Sequence, residues 1–265
     1  EQSVFRATQA RAQTRQNLPS LFDIQKVADG VYAAIAKPVA VLNCNAAIFE
    51  RSEDLLIVDT HSKPSAVVAL VAQLGREVTK KPVRYIVNSH FHWDHSQGAP
   101  AYRKLNPKAH VVSSETTRRL LSENGVARLK QSLDQMRQRL EQTDKQKAAS
   151  KDAAEARRLV EQATQIRSYI AEMGNYAPEL PDITFDHDLV LRDKGQTLHL
   201  AFRGRAHTAG DVVVFCPEKK VVATGDMIHS LLPFIGDGFP REWPKTMRSV
   251  AELPFEHLIG GHGPV

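Results

Sequence analysis

The stretch Asn88-Ser-His-Phe-His-Trp-Asp-His95 places three histidines and an aspartate within six residues. The segment before it, Val83-Arg-Tyr-Ile-Val87, is rich in β-branched and aromatic residues and predicts a short buried strand. Residues two apart in an extended segment leave the same face, so His90 and His92 can bind one ion together. Asp94 and His95 follow at the point where the chain turns, so they can face a second ion. Because zinc accepts imidazole nitrogen and carboxylate oxygen, the stretch predicts a metal site.

Strand-like segments precede this stretch at residues 31–35, 45–49 and 55–58. Turn-like residues separate them, so the opening of the chain predicts an antiparallel meander. Pro64 suits the first turn of a helix that runs to Leu74, and Gly75 is expected to end that helix. We expect a second helix at residues 98–105 and a short strand at 110–112.

Residues 115–174 differ in character from their surroundings. Two sets of apolar residues recur there at helical spacing: Leu129, Leu133, Met136 and Leu140, then Leu159, Ala163, Ile166 and Ile170. The polar residues 143–151 lie between the two sets, so we predict a helical hairpin with one thin apolar seam. Its charges have mixed signs, which favours a solvated helical pair over a nucleic-acid-binding arm. The hairpin can also shape an active-site mouth or mediate dimerisation.

Strand-like segments resume after the hairpin at residues 188–191, 197–202, 212–215 and 220–223, with Pro217-Glu-Lys-Lys220 as a hairpin turn. Three loops at the ends of predicted strands carry further ligand-type side chains. His207 lies in Gly204-Arg-Ala-His-Thr-Ala-Gly-Asp211, Asp226 in Thr224-Gly-Asp226, and His262 in Gly260-Gly-His-Gly-Pro264. Rigid strand ends can hold such side chains in place, so these loops are candidate parts of the same site.

Composition limits the classes of protein that the chain can belong to. Its 265 residues allow a large core, and 42% hydrophobic and 25% charged residues are typical of a globular domain. No apolar run reaches the ~18 residues of a membrane helix. The net charge of +5 permits binding to anions but does not establish it. We expect no membrane partner and no nucleic-acid partner, and the oligomeric state is open.

Two further features concern the compartment of the protein. Cys44 and Cys216 lie in apolar, strand-like runs and are interpreted as buried free thiols, with a single disulfide as the alternative. The sequence opens on Glu1, followed by a Gln/Arg-rich stretch, which suggests either a removed signal peptide or an arbitrary boundary. We favour a periplasmic or secreted protein over a cytoplasmic one.

The ordered motifs His-x-His-x-Asp-His, Gly-x-x-His-Thr-x-Gly-Asp, Thr-Gly-Asp and Gly-His-Gly resemble those of the metallo-β-lactamase-fold superfamily. The resemblance spans about residue 31 to the last residue, apart from the helical segment. It implies an α+β fold, a four-layer αββα sandwich with a helical-hairpin insertion. We therefore expect one domain over residues 1–265, with an N-terminal arm at 1–20 and the insertion at 115–174.

The resemblance also implies a set of metal ligands. His90, His92 and His207 would hold the first ion; Asp94, His95 and His262 would hold the second; and Asp226 would bridge the two. Asp59, at a strand end, resembles the outer aspartate that steadies the site in this family, and Asp211 can act similarly. The implied cofactor is two Zn²⁺ per chain, with iron or manganese as alternatives.

The implied reaction is hydrolysis of an ester, amide or lactone-type bond in a small molecule by a metal-bridging hydroxide, with Asp94 and Asp226 as catalytic residues. The sequence has no Gly-x-Ser-x-Gly motif that would indicate a serine nucleophile. β-Lactam cleavage is an alternative as a main or promiscuous activity, although two β-lactamase subclasses carry cysteine where Asp226 stands and the third usually carries serine.

A second functional class on the same fold is the mono-iron thiol or persulfide oxygenase, which uses only the first ligand group. The second group is complete in this sequence and argues against that class. Flavodiiron relatives carry glutamate at the position of His92, so the sequence argues against that class as well. A nuclease of the same superfamily is suggested only by the basic charge. For the substrate pocket we expect contributions from His229, Phe234 and Trp243, and the latter two can equally well form packing beneath a loop.

Overall fold

A computed structural model of the protein describes residues 20–37, 44–228, 230 and 232–265. The N-terminal arm expected at residues 1–20 therefore lies outside the described residues, except for Ser20. Within the described ranges, no helix is both long enough and apolar enough to cross a membrane.

The first of two sheets has seven strands in the order of the chain. They are β1 (Phe22–Ala28), β2 (Val31–Ala36), β3 (Ala46–Glu50), β4 (Leu55–Val58), β5 (Val83–Val87), β6 (His110–Ser114) and β7 (Ile183–Phe185). Strands β2 to β4 are the three predicted strands, and they pair antiparallel, which confirms the predicted meander. Strand β1, which was not predicted, pairs antiparallel with β2. Strands β4 to β7 pair parallel, so the residues that follow β4 and β5 emerge at the same edge of the sheet.

The second sheet has five strands in the spatial order β12-β11-β10-β9-β8. They are β8 (Asp188–Asp193), β9 (Gln196–Phe202), β10 (Val212–Cys216), β11 (Val221–Gly225) and β12 (His257–Gly260). A 3₁₀ turn at Pro217–Lys219 joins β10 to its antiparallel partner β11, as the sequence predicts. Strands β11 and β12 are parallel, so the residues after them also share an edge.

Six helices complete the described part of the chain. They are α1 (Pro64–Glu77), α2 (Trp93–Ser96), α3 (Ala99–Leu105), α4 (Glu115–Ala149), α5 (Ala153–Met173) and α6 (Trp243–Ala251). Helices α1 and α3 cover one face of the seven-stranded sheet, and α6 covers one face of the five-stranded sheet. The remaining faces of the two sheets pack on each other. The result is the mixed α+β, four-layer αββα sandwich that the sequence analysis expects.

Strand alternation explains how the sheets serve three cores at once. Ile57 faces the layer of α1 and α3, whereas its neighbour Leu56 faces the opposite sheet. In the same way, Val214 points between the sheets and Val213 points toward α6. Successive side chains of a strand leave opposite faces, so a strand buried on both faces is apolar throughout.

Two predicted boundaries are wrong. Helix α1 does not end at Gly75 but continues to Glu77, because Gly75 has no left-handed backbone conformation and the buried Leu70 and Leu74 hold the helix in place. Residues 143–151 are not a linker: α4 runs to Ala149 and the turn is confined to 150–152, with Asp152 capping α5. Ion pairs such as Glu141–Lys145 support this polar last part of α4.

The helical hairpin of α4 and α5 packs next to the His/Asp stretch. Leu133 and Tyr169 belong to its small apolar core, against which Trp93 packs. The Tyr169 hydroxyl donates a hydrogen bond to Gln97 Oε1 at 3.0 Å. Glu172 accepts hydrogen bonds from the backbone N–H and the hydroxyl of Ser65, which ties α5 to the start of α1. The hairpin therefore lies over the segment that carries the candidate ligands.

Candidate metal centre

The candidate ligands lie where parallel strands of both sheets end. Asp59 follows β4 and the stretch 88–95 follows β5, whereas Asp226 follows β11 and His262 follows β12. His207 lies in the loop between β9 and β10. The two sheets meet at this edge: the backbone N–H of Val212 donates to the Ser89 carbonyl at 2.8 Å, and that of Asn45 donates to the Gly261 carbonyl at 2.7 Å. The fold thus brings together side chains that are far apart in sequence.

The first group of ligand-type side chains is His90, His92, His207 and Asp226. All four are buried, and each offers one nitrogen or oxygen within 4.8 Å of those of the others. Asp226 Oδ2 lies 4.0 Å from His90 Nε2 and 3.8 Å from His207 Nε2. Three imidazoles and a carboxylate at this spacing can surround one divalent ion.

The second group is Asp94, His95 and His262, whose ligand atoms also lie within 4.8 Å of one another. These two sets of side chains are named the first and the second metal group. Asp94 Oδ2 is 3.2 Å from His262 Nε2 and 3.5 Å from His95 Nε2. Asp226 Oδ1 faces this group, at 3.2 Å from His95 Nε2 and 3.5 Å from His262 Nε2. The carboxylate of Asp226 therefore presents one oxygen to each group.

Buried polar atoms without a hydrogen-bond partner test whether this donor set suits a metal. Such atoms include His90 Nε2 and His207 Nε2. A buried polar atom normally has a partner, because an unpaired one costs roughly 1–3 kcal/mol. Both atoms face Asp226 Oδ2, at 4.0 Å and 3.8 Å, so these residues fit a divalent metal ion.

The electrostatics of the groups agree with metal binding. Burial lowers the pKa of His207 to about 3 and holds the pKa of His90 well below its usual range, so both imidazoles are neutral. Burial alone would raise the pKa of Asp226, but the positive charge of His95 outweighs it and lowers this pKa to about 2. His95 and His262 likewise hold the pKa of Asp94 well below its ordinary value against the effect of burial. Neutral imidazoles and ionised carboxylates are the forms that bind metals.

His95 is the exception among the histidines. Burial would lower its pKa, but the carboxylates around it, first of all Asp226, raise that pKa well above the usual value. In the absence of metal, His95 therefore carries a proton. This proton marks a place where the protein stabilises positive charge.

Asp59 organises two of the candidate ligands from behind. Its carboxylate accepts hydrogen bonds from the backbone N–H of Ser89 at 2.8 Å, from the Ser89 hydroxyl at 2.9 Å and from His95 Nδ1 at 2.8 Å. Ser89 Oγ also lies 2.9 Å from His90 Nδ1. These contacts leave Nε2 of both His90 and His95 facing the metal groups. Asp59 is thus placed to fix the orientation of both rings, which is the role that the family resemblance implies for it.

Asp211 has a related but more distant role. Its buried carboxylate accepts hydrogen bonds from the Thr208 backbone N–H at 2.8 Å and from the Thr208 hydroxyl at 2.5 Å. Burial raises the pKa of Asp211 to about 7 despite these bonds. Asp211 therefore holds the loop that carries His207.

Comparison with known proteins decides the family. A sequence model described as the metallo-beta-lactamase superfamily matches residues 39–262. The chain belongs to the metallo-beta-lactamase superfamily. Among solved structures it is similar to a metallo-beta-lactamase from Pontibacter korlensis, with a TM-score of 0.64, 20% sequence identity, and 92% of each chain covered. At this identity the likeness concerns the fold, and membership of the superfamily suggests a metal-dependent, hydrolase-type function.

A cavity of about 510 Å³ opens from the metal groups of this metallo-beta-lactamase superfamily member toward α4. His92, Asp94, Asp226 and His262 line its floor. Its walls are lined by aromatic and apolar side chains, by polar residues of α4 and by two charged residues: Phe91, Trp93, Leu121, Leu129, Gln131, Gln135, Arg128 and Glu179. A small molecule with both apolar and polar parts can therefore reach the metal groups from this side.

The expected substrate-pocket residues have different outcomes. Phe234 lines the cavity, and its ring centroid is 5.7 Å from that of His92. Trp243 does not line the cavity: its indole N–H donates to the Met227 carbonyl, and its ring packs in the core between α6 and the second sheet. His229 lies outside the described residues.

Three residues near the metal groups were not predicted from the sequence to take part in the site: Asp237, Arg128 and Cys44. Asp237 contacts both His92 and Arg128 of α4, at distances of 2.6–2.9 Å. Cys44, with Asp59 and His95, forms a third group of ligand-type atoms within 4.8 Å. The flanking glycines of Gly236-Asp237-Gly238 mark a tight loop, but no local pattern relates Asp237 to a histidine 145 residues away.

Proposed function

We propose that the chain is a hydrolase with a dinuclear zinc centre that cleaves an ester, amide or lactone-type bond in a small molecule. The observation that supports this function is the position of Asp226, whose two carboxylate oxygens face two separate groups of ligand-type atoms. A single-ion site would need only one of these groups. In a two-ion hydrolase the ions are typically about 3.5–4 Å apart, and one carboxylate can span that distance.

The division of ligands follows the two groups. His90, His92 and His207 would hold one ion, and Asp94, His95 and His262 would hold the other, with Asp226 between them. Zinc suits this mixture of imidazole nitrogen and carboxylate oxygen.

The chemistry divides between the ions and the side chains. When bound, the ions would supply Lewis acidity, which lowers the pKa of a coordinated water to about 7 and polarises the bond to be cleaved. Asp94 and Asp226 are ionised at neutral pH, so their oxygens can accept hydrogen bonds from the attacking water and orient it. Phe91 and Phe234 at the cavity wall would hold the apolar part of the substrate.

The decisive experiment combines metal analysis with activity measurements. Protein purified without added metal, and then loaded with Zn²⁺, should bind two ions per chain. It should hydrolyse at least one member of a panel of lactones, esters, thioesters, phosphodiesters and β-lactams. The Asp226→Ala variant should bind fewer than two ions and lose at least about 100-fold in kcat/KM, because loss of outer-shell partners alone typically costs 10–100-fold.

A matched control separates the metal centre from general effects of removing an aspartate. Asp134 lies on the exposed face of α4 and pairs with Arg137, so Asp134→Ala should keep both ions and full activity. Circular dichroism should find both variants folded. Near wild-type turnover in Asp226→Ala would contradict the two-ion mechanism. One iron per chain with no zinc would favour the mono-iron oxygenase instead.

A further inference from the structure

Asp237 lies between a candidate metal ligand and the helical insertion. Its Oδ2 is 2.9 Å from His92 Nε2 and accepts a hydrogen bond from Arg128 Nη1 at 2.9 Å. Its Oδ1 accepts a second hydrogen bond from Arg128 Nη2 at 2.6 Å. His92 belongs to the first metal group, and Arg128 lies in the middle of α4. These three side chains therefore connect the metal site to an element outside the two sheets.

The contact with Asp237 determines which nitrogen of His92 is free. An ionised carboxylate accepts but does not donate, so Nε2 must carry the hydrogen that His92 donates. Whenever an imidazole is neutral and carries its hydrogen on Nε2, its lone pair lies on Nδ1, on the other side of the ring. A carboxylate that holds a ligating histidine in this way fixes its tautomer and orientation and raises its basicity as a ligand.

Arg128 in turn holds Asp237. Arg128 Nη1 and Nη2 each donate a hydrogen bond to one oxygen of the Asp237 carboxylate. Two parallel hydrogen bonds of this kind fix the plane of the carboxylate as well as its distance from the guanidinium. The guanidinium also lies 4.6 Å from the centroid of the Phe91 ring, next to His92 in sequence. Asp237 has glycine on both sides, so its immediate neighbours have no side chains that could restrict it.

We propose that Arg128 and Asp237 are positioning residues through which the helical insertion orients His92 and sets the affinity of the first metal group. The inference rests on the proposed function in that it takes this group to bind a metal ion. In contrast to Asp59, which acts from within the first sheet, this pair makes the metal site depend on the placement of α4. The same helix lines the substrate cavity, so pocket shape and metal geometry are coupled.

The test measures metal affinity rather than activity alone. Wild type, Asp237→Ala, Arg128→Gln and Arg128→Lys are titrated with Zn²⁺ in competition with a chromogenic chelator, and Co²⁺-loaded samples are compared by visible absorption. In Asp237→Ala we expect one of the two ions to bind about 10–100-fold more weakly, with an altered Co²⁺ spectrum. Arg128→Gln should weaken the same ion about tenfold or less, since His92 keeps its partner. Arg128→Lys should fall between wild type and Arg128→Gln because it keeps the charge but not the paired grip.

A control on the same helix tests for general effects of removing an arginine. Arg119 pairs with Glu123 on the exposed surface, so Arg119→Gln should leave both affinities and the Co²⁺ spectrum unchanged. Chelator-treated samples of every variant are unfolded with urea. The alternative is that the Arg128–Asp237 pair only joins α4 to the neighbouring loop and stabilises the fold. In that case the variants would lose stability while their Zn²⁺ affinity and Co²⁺ spectrum stay at wild-type values, and this result would overturn the inference.

A double variant gives a second criterion. Arg128 is proposed to act through Asp237, so adding Arg128→Gln to Asp237→Ala should weaken metal binding by less than about threefold further. Fully additive losses would contradict the inference. A wild-type protein that binds no divalent ion would instead refute the proposed function, which keeps the two failures distinguishable.

Discussion

Four aspartates around one site have four different tasks, and their surroundings decide which task each has. Asp226 faces both metal groups, whereas Asp94 faces one of them. Asp59 accepts three hydrogen bonds within the first sheet, and Asp237 connects His92 to α4. The chemical group is the same in each case, so burial, donors and neighbouring charges determine its role.

The two cysteines allow a prediction at the same scale. Both thiols are free and buried, and burial raises the pKa of Cys44 to about 12 and that of Cys216 to about 11. The thiolate is the reactive form, so native protein at pH 8 should not react with Ellman's reagent within minutes. In denaturant, two thiols per chain should react.

An exposed cysteine serves as the positive control for this measurement. Val126 is 71% exposed on α4, so Val126→Cys should add one rapidly reacting thiol to the native protein. Rapid labelling of the unmodified native chain would contradict the buried placement of Cys44 and Cys216.

At the scale of elements, the end of β11 must approach the end of β5 closely. Gly225, the last residue of β11, has φ of +53°, and a Cβ added there would lie 2.2 Å from Ser89 Oγ. Ser89 is the residue that joins Asp59 to His90. The glycine therefore serves the site by letting the two sheets meet.

This close approach predicts how a methyl group added at residue 225 would affect stability and zinc binding. Gly225→Ala should lower the free energy of unfolding of the metal-free protein by about 2–4 kcal/mol, since it combines an unfavourable φ with overpacking. It should also weaken zinc binding because Ser89 is displaced. Gly195 offers a matched control: its φ is +78° but no atom lies within 4 Å of an added Cβ, so Gly195→Ala should show the backbone cost alone. Equal losses in both variants would contradict the packing argument.

The elements themselves were largely predictable from the sequence, because each depends on local apolar periodicity. The meander, the hairpin turn at Pro217–Lys219 and the helical hairpin are present as expected. Helix ends were less predictable, since Gly75 marks a helix end only when its backbone turns left-handed. Strands β1, β7 and β12 and helices α2 and α6 were not predicted. Of these, β12 and α6 are short and owe their places to packing on the second sheet.

The candidate site could be predicted only where its residues form local motifs. The stretch 88–95 and the glycine-flanked His262 can be recognised in the sequence, and the structure brings them together with Asp226. Asp237 and Arg128 could not be recognised, because their contact joins positions 109 residues apart and is decided by how α4 packs. Long-range contacts of this kind require the three-dimensional fold.

For the whole molecule, buried histidines predict how stability depends on pH. Burial lowers the pKa of His61 and of His207 to about 3 and that of His90 well below 6.5. Between pH 6.5 and pH 4 the unfolded chain therefore binds more protons at these residues, so stability falls as pH falls. Asp211, with its pKa raised to about 7, has the opposite effect but involves only one proton.

Urea unfolding of chelator-treated protein at pH 7, 6, 5 and 4 checks this prediction. The free energy of unfolding should fall toward acid, with up to about 1.4 kcal/mol per pH unit for each neutral buried histidine. His61 lies outside both metal groups, so His61→Gln should reduce the slope without removing a ligand. An identical slope in wild type and His61→Gln would show that His61 does not contribute.

The ligand groups combine residues from the two sheets, and this has a consequence for how the protein assembles. Residues 90–95 follow a strand of the first sheet, whereas His207, Asp226 and His262 follow strands of the second. A nascent chain thus exposes four of the seven donor residues long before the other three have been synthesised. Neither set of donors holds a complete ligand group, so binding of a metal ion by a whole group would require the two sheets to dock first. A bound ion would then stabilise the folded sandwich after the two sheets have docked, and it would not nucleate folding.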